Sequence, residues 1–200
     1  MPVSEIYKQI LQLNPYEVAG FVTGAAGVWL AARQNIYTWP VSLAGVLLSI
    51  IVFYNARLYA DVVLQFFYVG VTGYGWYQWL FGGKNKTELP VSNAPARLIF
   101  GVMAAGIVLS PVVGYLFSTY TDAAAPYLDS SLAVFSVLAT LLLGRKLIEN
   151  WLMWIVIDLL YTGLFFAKEL YLYSVLYFVF TLLAIHGFKS WRKEMRLVVG

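Results

Sequence analysis

Residues 33–79 read RQNIYTWPVSLAGVLLSIIVFYNARLYADVVLQFFYVGVTGYGWYQW, and residues 145–191 read RKLIENWLMWIVIDLLYTGLFFAKELYLYSVLYFVFTLLAIHGFKSW. Aligned without a gap at an offset of 112 positions, the two stretches share 13 identical residues over 47 positions. Leucine and phenylalanine matches are common in apolar sequence, but matches of other residue types at segment ends are not. The informative matches are Arg33 with Arg145, Trp39 with Trp151, Tyr59 with Tyr171, Gly75 with Gly187 and Trp79 with Trp191. The alignment indicates a duplicated unit.

The composition of the chain determines the solvent in which this unit folds. Apolar residues make up 61% of the 200 residues and charged residues 12%, against about 45–50% and about 25% in soluble proteins. Because a soluble fold of this composition could not cover its surface, the bilayer is the expected solvent. The absence of cysteine excludes thiolate chemistry. The single histidine, His186, leaves too few nitrogen ligands for a histidine metal site. No metal or other cofactor is expected.

Seven apolar segments approach or reach the length of a membrane helix, about 17–25 residues. They are Glu17–Ala32, Trp39–Tyr54, Asp61–Phe81, Ala96–Phe117, Ser130–Gly144, Trp151–Ala167 and Tyr171–Phe188. Before them, Val3, Ile6, Ile10 and Leu13 fall at helical spacing, which is typical of an amphipathic helix on the membrane surface. The sequence therefore predicts an all-α integral membrane fold with seven transmembrane helices.

The repeat and the spans together predict a domain organisation. Residues 1–14 form the surface helix, and residues 15–81 form a first three-helix repeat. A loop and a linker transmembrane helix occupy residues 82–129, a second three-helix repeat occupies 130–191, and a basic tail occupies 192–200. Four spans separate equivalent points, so both repeats face the same way. Parallel repeats of this kind occur in transporters, which hold substrate near the midplane between them.

The basic residues are divided unequally between the two sides of the predicted membrane. The side that holds the N-terminus receives three of the 13, Lys8, Arg57 and Lys168, and the other side receives ten. Because basic loops stay in the cytoplasm, the N-terminus is expected outside and the C-terminus inside. The clustering in loops favours this topological explanation of the positive charge over nucleic-acid binding. A missing or an extra span would scramble the division, so it supports the count of seven.

Asp158 carries the strongest functional signal in the sequence. It lies about eight residues into its span, roughly 12 Å deep at 1.5 Å per residue, and no basic residue lies within a helical turn of it. An unpaired carboxylate at that depth costs at least about 2.5–3.5 kcal/mol, so it is expected to face a cavity or a partner. The alternative is a protonated Asp158 that bonds to a neighbouring helix. Val46 occupies the equivalent position of the first repeat, so the fold itself does not require the acid.

Further candidates for substrate binding surround this acid on the predicted helices. Those in the same span are Asn150, Trp151, Trp154, Tyr161 and Thr162. Those in the third and seventh spans are Gln65, Tyr68, Thr72, Tyr173 and Tyr177. Each alone is more often a packing or helix–helix hydrogen-bonding residue. Together they predict an aromatic cage with a few polar groups, which is the usual lining of a small-molecule pocket.

Other features limit the remaining classes of function. Trp39, Trp79 and Trp191 lie at span ends and are expected to form an aromatic belt at the membrane interfaces, while Trp151 fits either the belt or the pocket. No phosphate loop, HExxH, GxSxG or CxxC motif is present. An intramembrane enzyme acting on lipid needs a nucleophile and a base, and Asp158 has no histidine near it in sequence. A non-catalytic assembly subunit is the other alternative to a transporter.

The motifs of both repeats resemble the PnuC family of bacterial nicotinamide riboside transporters. In the second repeat they are Glu149-Asn150-Trp151, Trp154, Asp158, Lys168-Glu169-Leu170-Tyr171, Leu176-Tyr177 and Gly187 with Trp191. In the first repeat they are Tyr59-Ala60-Asp61, Gln65-Phe66-Phe67 and Tyr74-Gly75-Trp76-Tyr77-Gln78-Trp79. The resemblance covers nearly all of the chain after Asn14.

The resemblance implies a 3+1+3 helical fold like that of a SWEET sugar transporter, in a different repeat arrangement. It implies import across a bacterial inner membrane by alternating access, without coupling to ions or ATP. A cytoplasmic kinase would then trap the imported nucleoside by phosphorylation. It also implies a homo-oligomer, expected to be a trimer. Related branches carry thiamine, riboflavin or deoxynucleosides, so the resemblance fixes the mechanism better than the substrate.

A cationic substrate suits the candidate residues. The pyridinium ring of nicotinamide riboside would stack among Trp154, Tyr161 and Tyr177 by cation–π attraction, and Asp158 would offset its charge or accept from ribose hydroxyls. The carboxamide would be bound by two amide side chains, Asn150 and Gln65. Thiamine is also a cation, so a thiamine transporter on the same fold is the alternative.

Overall fold

The chain is all-helical in a computed structural model that describes residues 2–13, 15–55, 59–120 and 125–199. Its helices are α1 (Pro2–Gln12), α2 (Pro15–Ala32), α3 (Thr38–Asn55), α4 (Tyr59–Phe81), α5 (Ala96–Tyr120), α6 (Pro126–Gly144), α7 (Glu149–Ala167) and α8 (Tyr171–Val199). A short 3-10 turn, Lys84–Lys86, lies between α4 and α5. The predicted loop residue Arg57, part of the loop after Phe117, and the end points Met1, Asn14 and Gly200 fall outside the described residues.

Each apolar segment predicted from the sequence corresponds to one of the helices α2 to α8. By length and composition, five of the helices in the described ranges are suited to cross a membrane, namely α3, α5, α6, α7 and α8. The last helix continues beyond the predicted end at Phe188 and carries the basic residues of the tail as far as Val199. The predicted all-α membrane fold is confirmed at this level.

Six of the helices close into a ring. In order around the ring, α2 contacts α3, then α4, α6, α7 and α8 follow, and α8 contacts α2. Helix α5 packs against α6 outside the ring, and α1 lies against α8. The side chain of Gln9 fixes α1 there: its Nε2 donates to the carbonyl of Glu169 at 2.7 Å, and its Oε1 accepts from the N–H of Leu172 at 3.0 Å.

The loops that follow α2 and α6 have the same backbone conformation. The second residue after each helix has a left-handed backbone, with φ of 53° at Gln34 and 49° at Lys146. The next N–H in each loop, of Asn35 and Leu147, donates to the carbonyl five residues earlier at 2.9 and 3.0 Å. These are the bonds of a Schellman motif. The two loops are 112 positions apart, so the sequence repeat is reproduced in their geometry.

Four tryptophans form the core at the end of the ring where these loops lie. Trp39, Trp79, Trp151 and Trp191 are each at most 2% exposed. Trp39 packs edge-on against Trp79 with ring centroids 5.4 Å apart, Trp151 packs edge-on against Trp191 at 5.4 Å, and Trp79 lies 6.1 Å from Trp191. The expectation that Trp39, Trp79 and Trp191 form an interfacial belt is therefore wrong.

Two of these indoles donate their N–H groups to backbone carbonyls. Trp79 Nε1 donates to the carbonyl of Leu143 at 3.0 Å, and Trp191 Nε1 donates to the carbonyl of Ala31 at 3.1 Å. A buried N–H without an acceptor costs about 1–3 kcal/mol, and these bonds remove that cost. The two donors are 112 positions apart, and so are the two acceptors. The two bonds are therefore equivalent in the repeat.

Two glycines allow the other two indoles to approach closely. A Cβ atom at Gly75 would lie 2.1 Å from the Trp39 ring, and one at Gly187 would lie 2.7 Å from the Trp151 ring. Neither separation is possible for a real side chain. The identity of Gly75 and Gly187 in the repeat is thus explained by packing against the tryptophan cluster.

Removing single indole N–H groups tests this account of the cluster. Trp79→Phe and Trp191→Phe are each expected to lower the free energy of unfolding by about 1–3 kcal/mol more than their matched controls, because each loses a buried hydrogen bond whereas each control removes a buried N–H that has no acceptor. The controls are Trp39→Phe and Trp151→Phe, whose buried Nε1 atoms have no acceptor within the described residues. All four changes shorten the same side chain, so the difference isolates the hydrogen bond. Equal melting temperatures for the four purified variants would contradict it.

Candidate functional site

The ring of six helices encloses a pocket of about 360 Å³, within the usual size range of small-molecule sites, about 300–1,000 Å³. Side chains from every helix of the ring contribute to its wall. Trp39 and Ser49 of α3 both line it and lie ten residues apart, so the pocket extends over roughly 15 Å of that helix at 1.5 Å per residue. The tryptophan cluster closes it at one end.

Lys146 packs on the tryptophan cluster and is not part of the pocket wall. Its Nζ lies 4.6 Å from the centroid of the Trp79 ring, a cation–π distance. Its side chain is buried, and this burial lowers the pKa of Lys146, while the nearby acids Glu88 and Glu194 act in the opposite direction. The pocket is therefore closed at this end by packed indoles with a buried cation behind them.

Helix α7 supplies the acidic part of the wall. Trp151, Trp154 and Asp158 follow one another at intervals of three and four residues and all line the pocket, as their helical spacing predicts. Asp158 is 4% exposed and forms no ion pair with any residue that the structure describes. A carboxylate in this position is a partner for a cationic or hydroxyl-bearing molecule in the pocket.

Aromatic and hydroxyl side chains from α4 and α8 complete the wall that the sequence predicts. Tyr68, Thr72 and Tyr177 line the pocket. The side chain of Tyr68 on α4 lies near that of Ser136 on α6. Tyr177 lies against Phe180, another lining residue, with ring centroids 5.5 Å apart. Six of the predicted residues are thus brought together: Tyr68, Thr72, Trp151, Trp154, Asp158 and Tyr177.

The other five predicted residues lie around the pocket and are not part of its wall. Tyr161 packs against Tyr177 with tilted rings whose centroids are 4.7 Å apart, and the hydroxyl of Thr162 donates to the backbone carbonyl of Asp158 at 2.7 Å. These two side chains support the lining residues. Tyr173 packs edge-on against Phe21 at 5.2 Å.

The two predicted amide side chains are also outside the lining. Asn150 is buried, its Nδ2 donates to the carbonyl of Leu147 at 2.6 Å, and its Oδ1 is buried without a donor in the described part of the chain. Gln65 is half-buried on α4, one turn from Tyr68. In this conformation neither amide is placed to bind a carboxamide in the pocket.

Residues of the first repeat form much of the wall, and the sequence reasoning missed them. The polar and aromatic ones are Thr23, Thr38, Trp39, Ser42 and Ser49. The repeat alignment carried the signal that would have found several of them. Seven lining pairs are related by the offset of 112, and they are Val28 with Thr140, Ala31 with Leu143, Trp39 with Trp151, Ser42 with Trp154, Val46 with Asp158, Tyr68 with Phe180, and Thr72 with Ala184.

These pairs have equivalent positions but different chemistry. Asp158 and Trp154 of the second repeat correspond to Val46 and Ser42 of the first, and the hydroxyl of Tyr68 corresponds to the bare ring of Phe180. Equivalent positions of the two sequence repeats therefore place different polar groups in the pocket wall. A pocket of this kind can bind an asymmetric molecule in one orientation.

The fold and this site define a multi-pass helical membrane protein whose helices enclose an asymmetric pocket. The family model described as nicotinamide mononucleotide transporter matches residues 14–193, and the chain belongs to this family. This confirms the resemblance to PnuC proteins found in the sequence. Members are named as transporters, which agrees with the expectation that the chain is not an enzyme.

Individual relatives match over most of their length. The nicotinamide riboside transporter PnuC of Escherichia coli (strain K12) is 28% identical over 92% of this chain and 87% of its own. The riboflavin/roseoflavin transporter RibM of Streptomyces davaonensis is 27% identical over 92% and 89%. The crystal structure of the vitamin B3 transporter PnuC superposes with a TM-score of 0.69 at 25% identity, covering 96% of this chain and 88% of that one.

Proposed function

We propose that the chain imports nicotinamide riboside across a bacterial inner membrane by facilitated diffusion. The observation that carries the proposal is Asp158, a buried carboxylate without a cationic partner among the described residues, in a pocket wall that also contains Trp154 and Tyr177. A pyridinium ring supplies the missing positive charge, and the two aromatic faces attract it. The name of the Escherichia coli relative PnuC supports the same substrate, whereas RibM is named for riboflavin and roseoflavin.

The lining favours the riboside over its phosphorylated form. No lysine or arginine is among the described residues that line the pocket, so a phosphate would be buried beside Asp158 without a cation, which is costly. The ribose and the carboxamide are instead assigned to hydroxyl groups that line the pocket. The hydroxyl-bearing residues of the lining include Thr23, Ser42, Ser49, Tyr68, Thr72 and Thr140. This assignment replaces the one to Asn150 and Gln65.

The proposal includes the arrangement in the membrane. The helices α2 to α8 are taken as seven spans, in which α2–α4 and α6–α8 form two parallel repeats and α5 is the linker. The excess of basic residues on one side places the N-terminus outside and the C-terminus in the cytoplasm. In this orientation the tryptophan cluster closes the cytoplasmic end of the pocket. The chain is proposed to assemble as a homo-oligomer, namely a trimer.

The contacts between the two repeats support a mechanism of alternating access. The tryptophan cluster joins the repeats through Trp79 and Trp191, each of which bonds to the first helix of the other repeat. Movement of one repeat against the other would open this end and close the opposite one. Net import then requires only that cytoplasmic phosphorylation consume the riboside.

Binding to the purified protein tests the substrate and the role of charge together. Nicotinamide riboside is expected to bind about tenfold or more tightly than its dihydro form, which has nearly the same shape but no positive charge, because a desolvated cation–π contact contributes about 2 kcal/mol. Calorimetry measures the order of affinities. The compounds are the two ribosides, nicotinamide mononucleotide, thiamine and riboflavin. Equal affinity for the charged and neutral ribosides, or tighter binding of the mononucleotide, would contradict the proposal.

Transport in liposomes tests the mechanism separately. With nothing inside to consume it, labelled riboside is expected to equilibrate across the membrane without accumulating, and ionophores are expected to leave the initial rate unchanged. Accumulation above the external concentration would show coupling to a gradient. Tighter binding and faster transport of riboflavin would reassign the substrate to that of the relative RibM. Thiamine, the alternative considered from the sequence, is not favoured by the relatives described above.

A further inference from the structure

A second cavity lies outside the ring, in the cleft between α4 and α5. Both helices pack on α6, but within the described residues they do not contact each other. The cleft has a volume of about 330 Å³. Four half-buried aliphatic residues form its walls, namely Leu98 and Val102 of α5 and Leu138 and Leu141 of α6. Its position on the outer surface of the ring exposes it to the membrane.

One end of this cleft is positively charged. Arg145 follows directly after α6 and is the charged residue of the lining. Its Nε donates to the hydroxyl of Tyr74 on α4 at 2.9 Å, which holds the guanidinium across the mouth of the cleft. The two terminal nitrogens of Arg145 make no hydrogen bond to any described residue. A guanidinium fixed in this way presents paired donors that match the geometry of a phosphate.

The apolar walls of the cleft lie next to its positively charged end. Leu141 and Leu138 lie four and seven residues before Arg145 on α6, or roughly 6 and 10 Å along the helix. Leu98 and Val102 lie in the first two turns of α5, at the same end of the molecule. Arg97, Lys84 and Lys86 add positive charge there, against the acid Glu88. The cleft therefore offers a positively charged surface to a phosphate and, next to it, an apolar surface to an acyl chain. A lipid carries these two groups in the same order.

We propose that this cleft binds an anionic glycerophospholipid, with its phosphate on Arg145 and one acyl chain along the four aliphatic residues. Basic pockets between transmembrane helices on the cytoplasmic side bind such headgroups. The first repeat contains the equivalent arginine but not the cleft. Arg33 lies 4.1 Å from the ring of Trp29, and no helix corresponding to α5 flanks it among the described residues. Arg33 is thus a matched control, with the same charge at the same end of the molecule.

Native mass spectrometry of the detergent-purified protein tests the proposal, with phosphatidylglycerol and phosphatidylcholine of identical acyl chains as probes. Phosphatidylglycerol is expected to form more adducts, and Arg145→Gln is expected to weaken its binding about fivefold, the effect of one basic residue near an anionic lipid. Arg33→Gln is expected to leave it unchanged. Wild-type adducts on Arg145→Gln, equal loss in Arg33→Gln, or equal binding of both lipids would overturn the proposal.

A variant that fills the cleft keeps the test independent of the folding of Arg145→Gln. Leu138→Trp is expected to reduce phosphatidylglycerol adducts while the melting temperature and the oligomer mass stay those of the wild type. If Leu138→Trp instead changes the oligomer mass and leaves the lipid adducts intact, the cleft is an interface between copies of this chain and the lipid assignment is wrong. Because Asp158 and the central pocket are unchanged in these variants, binding of nicotinamide riboside reports separately on the proposed function.

Discussion

Replacing Asp158 with valine is expected to weaken the binding of nicotinamide riboside by roughly 10- to 100-fold, the loss of about 1.5–3 kcal/mol that a hydrogen bond to a charged group contributes. The same change is expected to stabilise the empty protein by about 1–3 kcal/mol, because a largely buried acid with no ion-pair partner among the described residues is removed. Valine is a suitable replacement because Val46 occupies the equivalent place in the first repeat. Affinity and stability therefore change in opposite directions, which a packing residue would not do.

The control for this prediction separates charge from hydrogen bonding. Asp158→Asn keeps the shape and a carbonyl acceptor but has no charge. If the acid offsets the pyridinium, the asparagine variant loses nearly as much affinity as the valine variant and prefers the charged riboside over its dihydro form less strongly than the wild type does, because only the cation–π contacts remain. Calorimetry and thermal unfolding of the three proteins provide both readouts. Unchanged affinity in Asp158→Val would remove the central pocket from the transport pathway.

Adding one methyl group at Gly75 is expected to cost about 1–3 kcal/mol of stability, the usual penalty of overpacking. A Cβ there would overlap the Trp39 ring, which is surrounded by the other indoles and cannot move away freely. Since Trp39 also lines the pocket, Gly75→Ala is expected to reduce riboside affinity as well. Thermal unfolding and binding measurements on the same preparation test both effects.

The matched control lies two residues away in the same helix. A Cβ at Gly73 would have no atom within 4 Å, so Gly73→Ala is expected to leave binding intact and to stabilise α4 by up to about 1 kcal/mol, the difference in helix propensity between glycine and alanine. Similar melting temperatures for the two variants would show that Trp39 is not held as tightly as the structure indicates. Gly187→Ala should repeat the result of Gly75→Ala through Trp151.

The helices were predictable from the sequence because apolar segment length is a local property. The tryptophan cluster was not, because a tryptophan at a span end has the same local signature whether it faces lipid or a carbonyl of another helix. Trp79 and Trp191 donate to the backbone carbonyls of Leu143 and Ala31, which are distant from them in sequence. Gly75 and Gly187 were the available hint, since an identical glycine pair in a repeat indicates close approach of another group.

The site was predicted unevenly for a related reason. Asp158 identifies its own face of α7 because an acid inside a membrane span is too costly to face lipid, and Trp154 and Trp151 follow from helical spacing. Ser42 and Thr23 have no such signal, since hydroxyl residues in membrane helices commonly bond to their own backbone, as the Thr23 side chain does to Ala19 at 2.7 Å. The rotation of each helix, which excludes Gln65 from the lining, depends on packing that spacing alone does not determine.

The two bonds from Trp79 to Leu143 and from Trp191 to Ala31 are the contacts that an isologous dimer of a single three-helix protein would make, because each half offers the same donor and the same acceptor to the other. In this chain that dimer interface is contained within one polypeptide. A change in one half is no longer copied automatically into the other. The two halves can therefore carry different side chains at equivalent positions, as Asp158 and Val46 do in the pocket wall.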